Sequence, residues 1–396
     1  MKKAQLLALG LLLALTVAGC GAGKEEESGR TGVVFEKVEA PVAAPVQEAP
    51  VEEEPEEEED PDVPPREGMV RDFFSNEWVE GDQNIKRPLA VMYPINKEAQ
   101  PQYGLDKVRV FYEIMEEGTM SRQMGILEEW EDLNKIGNLR SIRDYFVYAA
   151  LEYDPIIIHY GGPEVYVKDI LTRSDVDNLN GVGGVMGPDG GAFFRDPPGS
   201  TSEHTAYTDG ARVAKGMEKL GFQANHKEEY SGVPHFTFAP VKEPNTLEQY
   251  GSETMSAEKI DMTGCYPVTK SALSYHADDG LYYKTLYGNP QVDAVSGEQL
   301  TFANIIVQGT YWEKRDTNGY LAFRMHDTTH DGYYITGGKM IHITWKKTAD
   351  YEPTKYYDDN GEEIELNTGR TMIFVARDSD TFTADGTEYT FKSEKH

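Results

Sequence analysis

The composition of the chain changes sharply near residue 68, and that change limits what the chain can fold into. Residues 24–67 contain 16 acidic residues, four basic residues and seven prolines, including the acidic run 56–60. A segment of this composition cannot bury enough apolar surface to offset the entropy lost on ordering it. We therefore expect residues 21–67 to be a disordered acidic Pro/Glu-rich tether, and the fold to be made by the residues from Met69 onward.

The first twenty residues have the pattern of a bacterial lipoprotein signal peptide. Lys2 and Lys3 precede an apolar stretch, Leu6 to Val17, that is shorter than the roughly 18 residues of a membrane-spanning helix. The stretch continues into Val-Ala-Gly-Cys, and small residues before a cysteine resemble a lipobox. The pattern predicts that residues 1–20 are a signal peptide with lipidation at Cys20. The lipid would hold the protein at the extracytoplasmic face of the cell membrane.

The charge balance excludes one class of partner. The chain has 38 Lys and Arg against 68 Asp and Glu, a formal net charge of −30. The signal segment contributes +2 and the tether −12, which leaves −20 on the remaining 329 residues. A nucleic-acid binder needs a basic surface to neutralise phosphates, so we expect no nucleic-acid partner. With Cys20 lipidated, Cys265 has no partner for a disulfide and is expected to be a buried apolar residue.

The first half of the foldable region alternates strand and helix patterns. Apolar positions spaced i, i+3, i+4 and i+7 predict a helix over Arg140–Tyr153, which Pro155 ends before a buried strand at Ile156–Ile158. A second helix is predicted over Asp209–Leu220, capped by Thr208 or Asp209 and followed by Gly221. Earlier strands are expected in three segments: Arg87–Tyr93, Lys107–Ile114 and Gln123–Trp130. Residues 69–245 are thus predicted to be a mixed α/β domain.

The second half, residues 255–396, contains short strand-like segments separated by turn dipeptides. These dipeptides are typical of β-hairpins and are found at four places: Asp279-Gly280, Asn318-Gly319, Asp331-Gly332 and Asn360-Gly361. We therefore expect a β-rich C-terminal domain and an α+β fold class for the whole chain.

The densest polar pattern surrounds the predicted helix at Arg140. Arg140, Ser141, Arg143 and Asp144 are placed in its first turn, where two arginines oppose the positive end of the helix dipole. Such arginines need a carboxylate or phosphate partner. A ligand with anionic or hydroxyl groups is one interpretation. The other is that both arginines pair inside the protein with nearby glutamates: Glu113, Glu116 or Glu117.

The same region carries a resemblance to a known family. The motifs that carry it are Arg87-Pro-Leu-Ala-Val-Met, Tyr112-Glu113, Glu117-Gly118, Arg140-Ser-x-Arg-Asp-Tyr-Phe146, His159-x-Gly-Gly162, Phe194-Arg195-Asp196, His204 and Phe302-x-Asn304-Ile-Ile-Val307. In this order they resemble the YerB-like lipoproteins, two-domain Gram-positive envelope proteins of unassigned function. The chain departs from that pattern at Pro163, where Ser is expected, and at Thr205, where Asn is expected. The resemblance and the polar pattern together propose one set of ligand-binding residues: Arg140, Ser141, Arg143, Asp144, His159, Gly161, Gly162, Arg195 and His204.

Three functions fit these observations. The first is a non-enzymatic envelope lipoprotein that binds cell-wall polymer or an envelope protein through an Arg/His-lined cleft. The second is a hydrolase or lyase acting on envelope glycan, with Glu113 or Glu117 as acid and Asp144 as base or stabiliser. The third is a solute-binding lipoprotein with two lobes.

The sequence gives no sign of a cofactor. Three histidines of the second half could approach a metal, but their spacing suits loop or strand positions better than a site: His326, His330 and His342. We therefore expect no metal centre.

Overall fold

The computed structural model describes residues 60–182, 191–230, 234–326 and 328–392. The predicted signal peptide, Cys20 and the tether up to residue 59 lie outside the described residues. The last part of the predicted tether is described and contacts the folded part, because Lys242 pairs with Asp60 at 2.6 Å and with Asp62 at 3.3 Å. Within the described residues no helix has the length and apolar character needed to cross a membrane.

Three helices and 25 strands are found in the described residues. The helices are α1 Asp144–Leu151, α2 Glu164–Leu171 and α3 Gly210–Leu220. The strands of the first half are β1 Met69–Arg71, β2 Trp78–Glu80, β3 Leu89–Tyr93, β4 Val108–Met115, β5 Ser121–Leu127, β6 Ile136–Gly137, β7 Ile156–His159, β8 Asn178–Asn180, β9 Phe194–Arg195 and β10 Ala206–Thr208. The strands of the second half are β11 Met255–Ser256, β12 Lys259–Asp261, β13 Ala272–His276, β14 Leu281–Leu286, β15 Asn289–Pro290, β16 Thr301–Phe302, β17 Asn304–Thr310, β18 Trp312–Lys314, β19 Leu321–Phe323, β20 Thr328–Thr336, β21 Lys339–Lys347, β22 Lys355–Tyr357, β23 Thr371–Arg377, β24 Thr381–Ala384 and β25 Thr387–Thr390. This content confirms the α+β class.

One large sheet joins the two halves of the chain. Its order is β11-β21-β20-β17-β23-β4-β5-β3-β7-β8, with β22 added beside β21. The halves meet where β23 runs parallel to β4, with Ile373 opposite Tyr112. The two halves therefore share backbone hydrogen bonds across this junction, and the described residues belong to one compact unit.

A second sheet of seven strands belongs to the second half. It has the order β15-β14-β13-β12-β24-β25, with β16 beside β14. The ring of Phe302 in β16 lies 6.3 Å from that of Phe111 in β4, so the two sheets pack through a common core. Cys265 is buried in this core as expected. Burial raises the pKa of its thiol well above the ordinary range.

Three small sheets complete the described fold. β6, β10 and β9 form a three-stranded sheet, and β1–β2 and β18–β19 form two hairpins. The Asn318-Gly319 turn lies in the second of these hairpins, and Asp279-Gly280 joins β13 to β14, as the dipeptides predict. Asn360-Gly361 also lies in a turn, between β22 and a bridge at Glu363.

The prediction of a turn at Asp331-Gly332 is wrong. Both residues lie inside β20, and the turn to β21 falls instead at Gly337-Gly338. Gly332 is needed for another reason: a Cβ at this position would lie 2.7 Å from the carbonyl oxygen of Val307 in β17. The glycine permits close approach of neighbouring strands rather than chain reversal.

Candidate functional site

The segment that contains Arg140 is extended, which corrects the prediction that these residues open a helix. α1 begins only at Asp144, and Arg143 is its N-cap residue with extended backbone. The amide of Arg140 donates to the carbonyl of Met92 at 3.0 Å, and that of Ile142 donates to the carbonyl of Gly161 at 3.0 Å. The carbonyl of Arg140 accepts from the amide of Tyr160 at 2.9 Å, so it is not available to the amide of Asp144, and the helix does not extend back to residue 140.

Arg143 is paired inside the protein. Its guanidinium donates to Glu117 through Nε at 2.9 Å and lies 3.2 Å from Glu116. Arg122, which the sequence analysis did not select, donates to Glu116 at 2.7 Å and is 3% exposed. Together with Arg140, these residues form what we call the arginine cluster: Arg122, Arg140, Arg143, Glu116 and Glu117.

The electrostatics of the arginine cluster are set by burial. Burial raises the pKa of Glu116, although the charges of Arg122 and Arg143 oppose that rise. Burial also lowers the pKa of Arg122, to about 10, against the attraction of Glu116. The cluster contains three guanidinium groups and two carboxylates, and a third carboxylate, that of Glu203, pairs with Arg140.

Arg140 is less firmly held than Arg143. Its side chain is 24% exposed, and its ion pair at 3.0 Å is with Glu203, which is 71% exposed. An ion pair with so exposed a carboxylate contributes little to stability. Arg140 is therefore the member of the cluster that can exchange its partner for a ligand at least cost.

His204 lies in the same electrostatic environment. Burial lowers the pKa of His204, and the positive charges of Arg140 and Arg122 lower it further. Asn138 donates to the carbonyls of both His204 and Ala99, so it ties the loop at Gln100 to the loop at His204.

Several buried polar atoms of this region have no hydrogen-bond partner among the described residues. They are Arg122 Nε, Arg140 Nε, His204 Nδ1, both amide atoms of Gln100, and Glu116 Oε2, which lies 3.2 Å from Arg143. Buried polar groups normally find partners, so a concentration of unpaired atoms indicates a place that a ligand or ordered water completes. We call this place the Arg140–His204 edge, defined by Gln100, Arg122, Arg140 and His204.

His159 has a structural role. The ring is buried at the end of β7, with Nδ1 2.8 Å from the carbonyl of Gly161 and Nε2 3.3 Å from the side-chain oxygen of Asn178. Burial lowers its pKa, so the imidazole is neutral near pH 7. A neutral imidazole donates through one nitrogen only, so the 2.8 Å contact of Nδ1 with the carbonyl of Gly161 is its hydrogen bond, and His159 holds the loop at Gly161 rather than facing a ligand.

The glycine pair shapes the same loop. Gly161 has φ of 82°, and its amide donates to Asn180 at 3.0 Å. Pro163 is the N-cap residue of α2 rather than its first residue, and it offers no side-chain cap. Ser141 donates to the carbonyl of Tyr160 at 3.2 Å, which links this loop to the Arg140 segment.

Arg195 belongs to a separate contact. Its guanidinium carbon lies 4.6 Å from the ring centroid of Tyr160, and Nη1 donates to the hydroxyl of Thr205 at 3.1 Å. Thr205, at the position where the family pattern has Asn, therefore retains a hydrogen-bonding function. Arg195 supports the loop that carries His204.

The three carboxylates of the catalytic alternative each have a different cationic partner. Glu113 is fully buried and accepts a hydrogen bond from Lys284 at 2.9 Å, while Glu117 pairs with Arg143. Asp144 pairs with Arg315 at 2.5 Å. A glycosidase needs two carboxyl groups facing one substrate. The burial of Glu113 argues against its use as a catalytic acid.

The histidines of the second half do not converge. His330 lies opposite Trp345 in the β20–β21 pairing and His342 lies opposite Tyr333. Because residues 330 and 333 are an odd number apart, the two imidazoles lie on opposite faces of the sheet. His326 lies 3.6 Å from Asp350. In the part of the chain that the structure describes, no three His, Cys, Asp or Glu side chains form a metal site.

Two residues of the Arg140–His204 edge were missed by sequence reasoning. Arg122 is the second residue of β5, whose seven residues are all buried. A charged residue at the start of a buried strand indicates an internal partner or a ligand. Arg122 was missed because the predicted strand began at Gln123, one residue too late. Gln100 lies in a loop with no periodic pattern, so no signal singled it out.

Comparisons with known proteins agree with the fold. The chain matches the N-terminal domain of a protein family of unknown function, DUF3048, over residues 74–223, and its C-terminal domain over residues 262–373. A relative from Bacillus subtilis (strain 168), "Putative lipoprotein YerB", is 23% identical over 293 residues, which cover 73% of this chain and 78% of the relative. A crystal structure of YerB protein from Bacillus subtilis has a TM-score of 0.66 at 22% identity and covers 79% of this chain and 99% of that chain. The two folds are therefore alike.

Proposed function

The chain belongs to the DUF3048 family, as its resemblance to the YerB-like lipoproteins predicts, and from this premise we propose that it is a lipid-anchored binding protein of the cell envelope. The anchor is the lipid on Cys20, at the extracytoplasmic face of the membrane. Two observations support it: the lipobox pattern of residues 1–20 and the name of the Bacillus relative as a lipoprotein. The acidic tether would hold the folded part away from the membrane.

The binding function rests on the Arg140–His204 edge. Its unpaired guanidinium, imidazole and amide atoms suit a ligand group that is anionic and rich in oxygen, such as a carboxylate or phosphate. Cell-wall polymer and envelope proteins both present such groups. We favour binding over catalysis because the candidate carboxylates are already held by Lys284, Arg143 and Arg315.

A two-lobed solute-binding protein is less compatible with the fold. Such a protein closes two lobes around a ligand by bending at a hinge. Here β23 of the second half is hydrogen-bonded along its length to β4 of the first half. A shared central sheet leaves no hinge between the two regions.

The test compares the full-length protein with its Arg140→Gln variant. Purified wall polymer and solubilised membrane extract are incubated separately with each protein, and the recovered fraction is measured. We expect Arg140→Gln to lower recovery on one of the two materials by about tenfold, because a charge-assisted hydrogen bond is lost. The material that responds identifies the partner as polymer or protein.

The control is Arg66→Gln. It removes the same charge from a side chain that is 65% exposed and paired with Glu80 at the surface. Arg143 is left intact because its guanidinium holds Glu116 and Glu117. Equal recovery of the Arg140→Gln and Arg66→Gln proteins on both materials would rule out the Arg140–His204 edge as the binding site.

A further inference from the structure

A cavity of 510 Å³ lies away from the arginine cluster, between the first half of the chain and the segment after β21. Its size is within the range of pockets that bind small organic molecules. Rings provide much of its wall, and they are Phe73, Phe74, Tyr153, Tyr230, His235 and Tyr351. We call it the aromatic cavity.

The rings are arranged in two groups. In one, His235 stacks on Tyr153 with centroids 4.1 Å apart, and Phe74 meets the edge of Tyr153 at 5.4 Å. In the other, Tyr230 and Tyr351 lie 5.8 Å apart. A molecule inside the cavity would therefore have aromatic faces or edges on more than one side.

The charged groups that line the cavity are acidic. Glu229 and Glu352 are exposed at its rim, and Glu152 lies at its floor. Among the described lining residues there is no Lys or Arg.

The cations near the cavity are paired with carboxylates. Lys347 pairs with Glu152 at 2.6 Å and Lys227 with Asp154 at 3.2 Å. Arg173, which like Lys227 lies within 6 Å of the Tyr351 ring centroid, pairs with Asp175 at 2.6 Å.

His235 adds a neutral ring to the wall of the cavity. Its side chain is 3% exposed, and Nε2 faces the carboxylate of Glu152 at 3.5 Å. Burial lowers the pKa of His235, so the ring carries no charge that would repel a cation near pH 7.

We propose that the aromatic cavity binds a small organic cation, a protonated or quaternary amine carried on an apolar body. Aromatic faces attract cations through the negative potential of their rings, and carboxylates at the rim add to that attraction. The apolar body removes the remaining ring surface from water. The net charge of −30 favours the approach of cations over that of anions.

The test titrates the full-length protein in detergent with four probes, using calorimetry. Phenethylamine and benzyltrimethylammonium are the cations, phenethyl alcohol is the neutral analogue and phenylacetate is the anion. We expect saturable binding of a cation that is at least about tenfold tighter than that of the alcohol, and no binding of phenylacetate. Equal affinity for the cation and the alcohol would overturn the proposal, as would no saturable binding of either cation up to about 10 mM.

Variants locate the site. Tyr351→Leu removes a ring and should weaken cation binding about tenfold. Tyr351→Phe keeps the ring and loses only the hydrogen bond to the carbonyl of Asp175. This second variant should therefore bind the cation like the parent protein. Tyr283→Leu is the matched control, because Tyr283 is half-buried in β14 and does not line the cavity. Cation binding that Tyr351→Leu leaves unchanged, or that Tyr283→Leu weakens equally, would place the site elsewhere and refute the proposal.

Discussion

The buried ion pair between Glu113 and Lys284 gives the sharpest prediction about stability. Both side chains are fully buried, and the pair joins β4 of the large sheet to β14 of the second sheet. Replacing Lys284 with Met gives an unbranched side chain that is one atom shorter and carries no charge. The change leaves a carboxylate in the core without its cation.

The size of the effect follows from the geometry. At 2.9 Å and an effective dielectric constant of about 20, the attraction between the two charges is about 6 kcal/mol. Burial lowers the pKa of Lys284 more than Glu113 raises it, so desolvation cancels much of this attraction. Four neutral donors would still contact the carboxylate: Ser121, Gln123, Thr269 and Ser271. We therefore expect Lys284→Met to lower the free energy of unfolding by about 3 kcal/mol, the lower end of what breaking a buried pair costs.

The assay is urea-induced unfolding of the parent and variant proteins at pH 7, with m-values compared to check that both unfold in the same way. The double variant Glu113→Gln/Lys284→Met should recover a large part of the loss, because it removes the unpaired charge. Lys168→Met is the control, since Lys168 pairs with Glu164 at the surface. Its replacement should not change the free energy of unfolding measurably. A loss below about 1 kcal/mol for Lys284→Met, or a double variant less stable than the single one, would refute the reasoning.

Two further predictions concern stability. Burial alone would raise the pKa of Glu152, but Lys347 and His235 hold it well below its ordinary value of 4.5. A lowered folded-state pKa stabilises the protein above the unfolded-state pKa, so the free energy of unfolding should fall as pH drops below about 5, and Lys347→Met should flatten that dependence. If the free energy of unfolding of Lys347→Met fell with pH as steeply as that of the parent protein, Glu152 would not be the group responsible. Gly332→Ala should cost about 1–3 kcal/mol in urea unfolding, because its Cβ would lie 2.7 Å from the carbonyl oxygen of Val307. A cost under about 0.5 kcal/mol would mean that the strands separate easily there.

Elements with local signals were predictable from the sequence. α3 begins after Asp209, whose side chain accepts from the amide of Arg212, and ends at Gly221 in the left-handed conformation, as its caps predict. The junction of β4 with β23 was not predictable, since it pairs residues about 260 positions apart and both strands are buried along almost all of their length. Periodicity identifies such strands but does not tell which neighbour each will choose.

The candidate site was predictable from the sequence only in part. The sequence marked Arg140, Arg143 and His204 as polar residues in one region, but it left open whether the arginines pair internally. The structure pairs Arg143 with Glu116 and Glu117 and leaves Nε of Arg140 without a partner among the described residues. That difference depends on how β4, β5 and the Arg140 segment meet, which is a property of tertiary packing.

The aromatic cavity should remain intact when the Glu113–Lys284 pair is lost. The cavity is lined by residues of both halves of the chain, Phe73 and Tyr351 among them. A cation present at a concentration one hundred times its dissociation constant adds about 2.7 kcal/mol to the free energy of unfolding. This increment is expected of every variant in which the aromatic cavity is intact. Because Lys284 lies in the second sheet and does not line the cavity, the Lys284→Met protein should keep this full increment. A smaller increment would mean that the pair also fixes the position of the second half around the cavity.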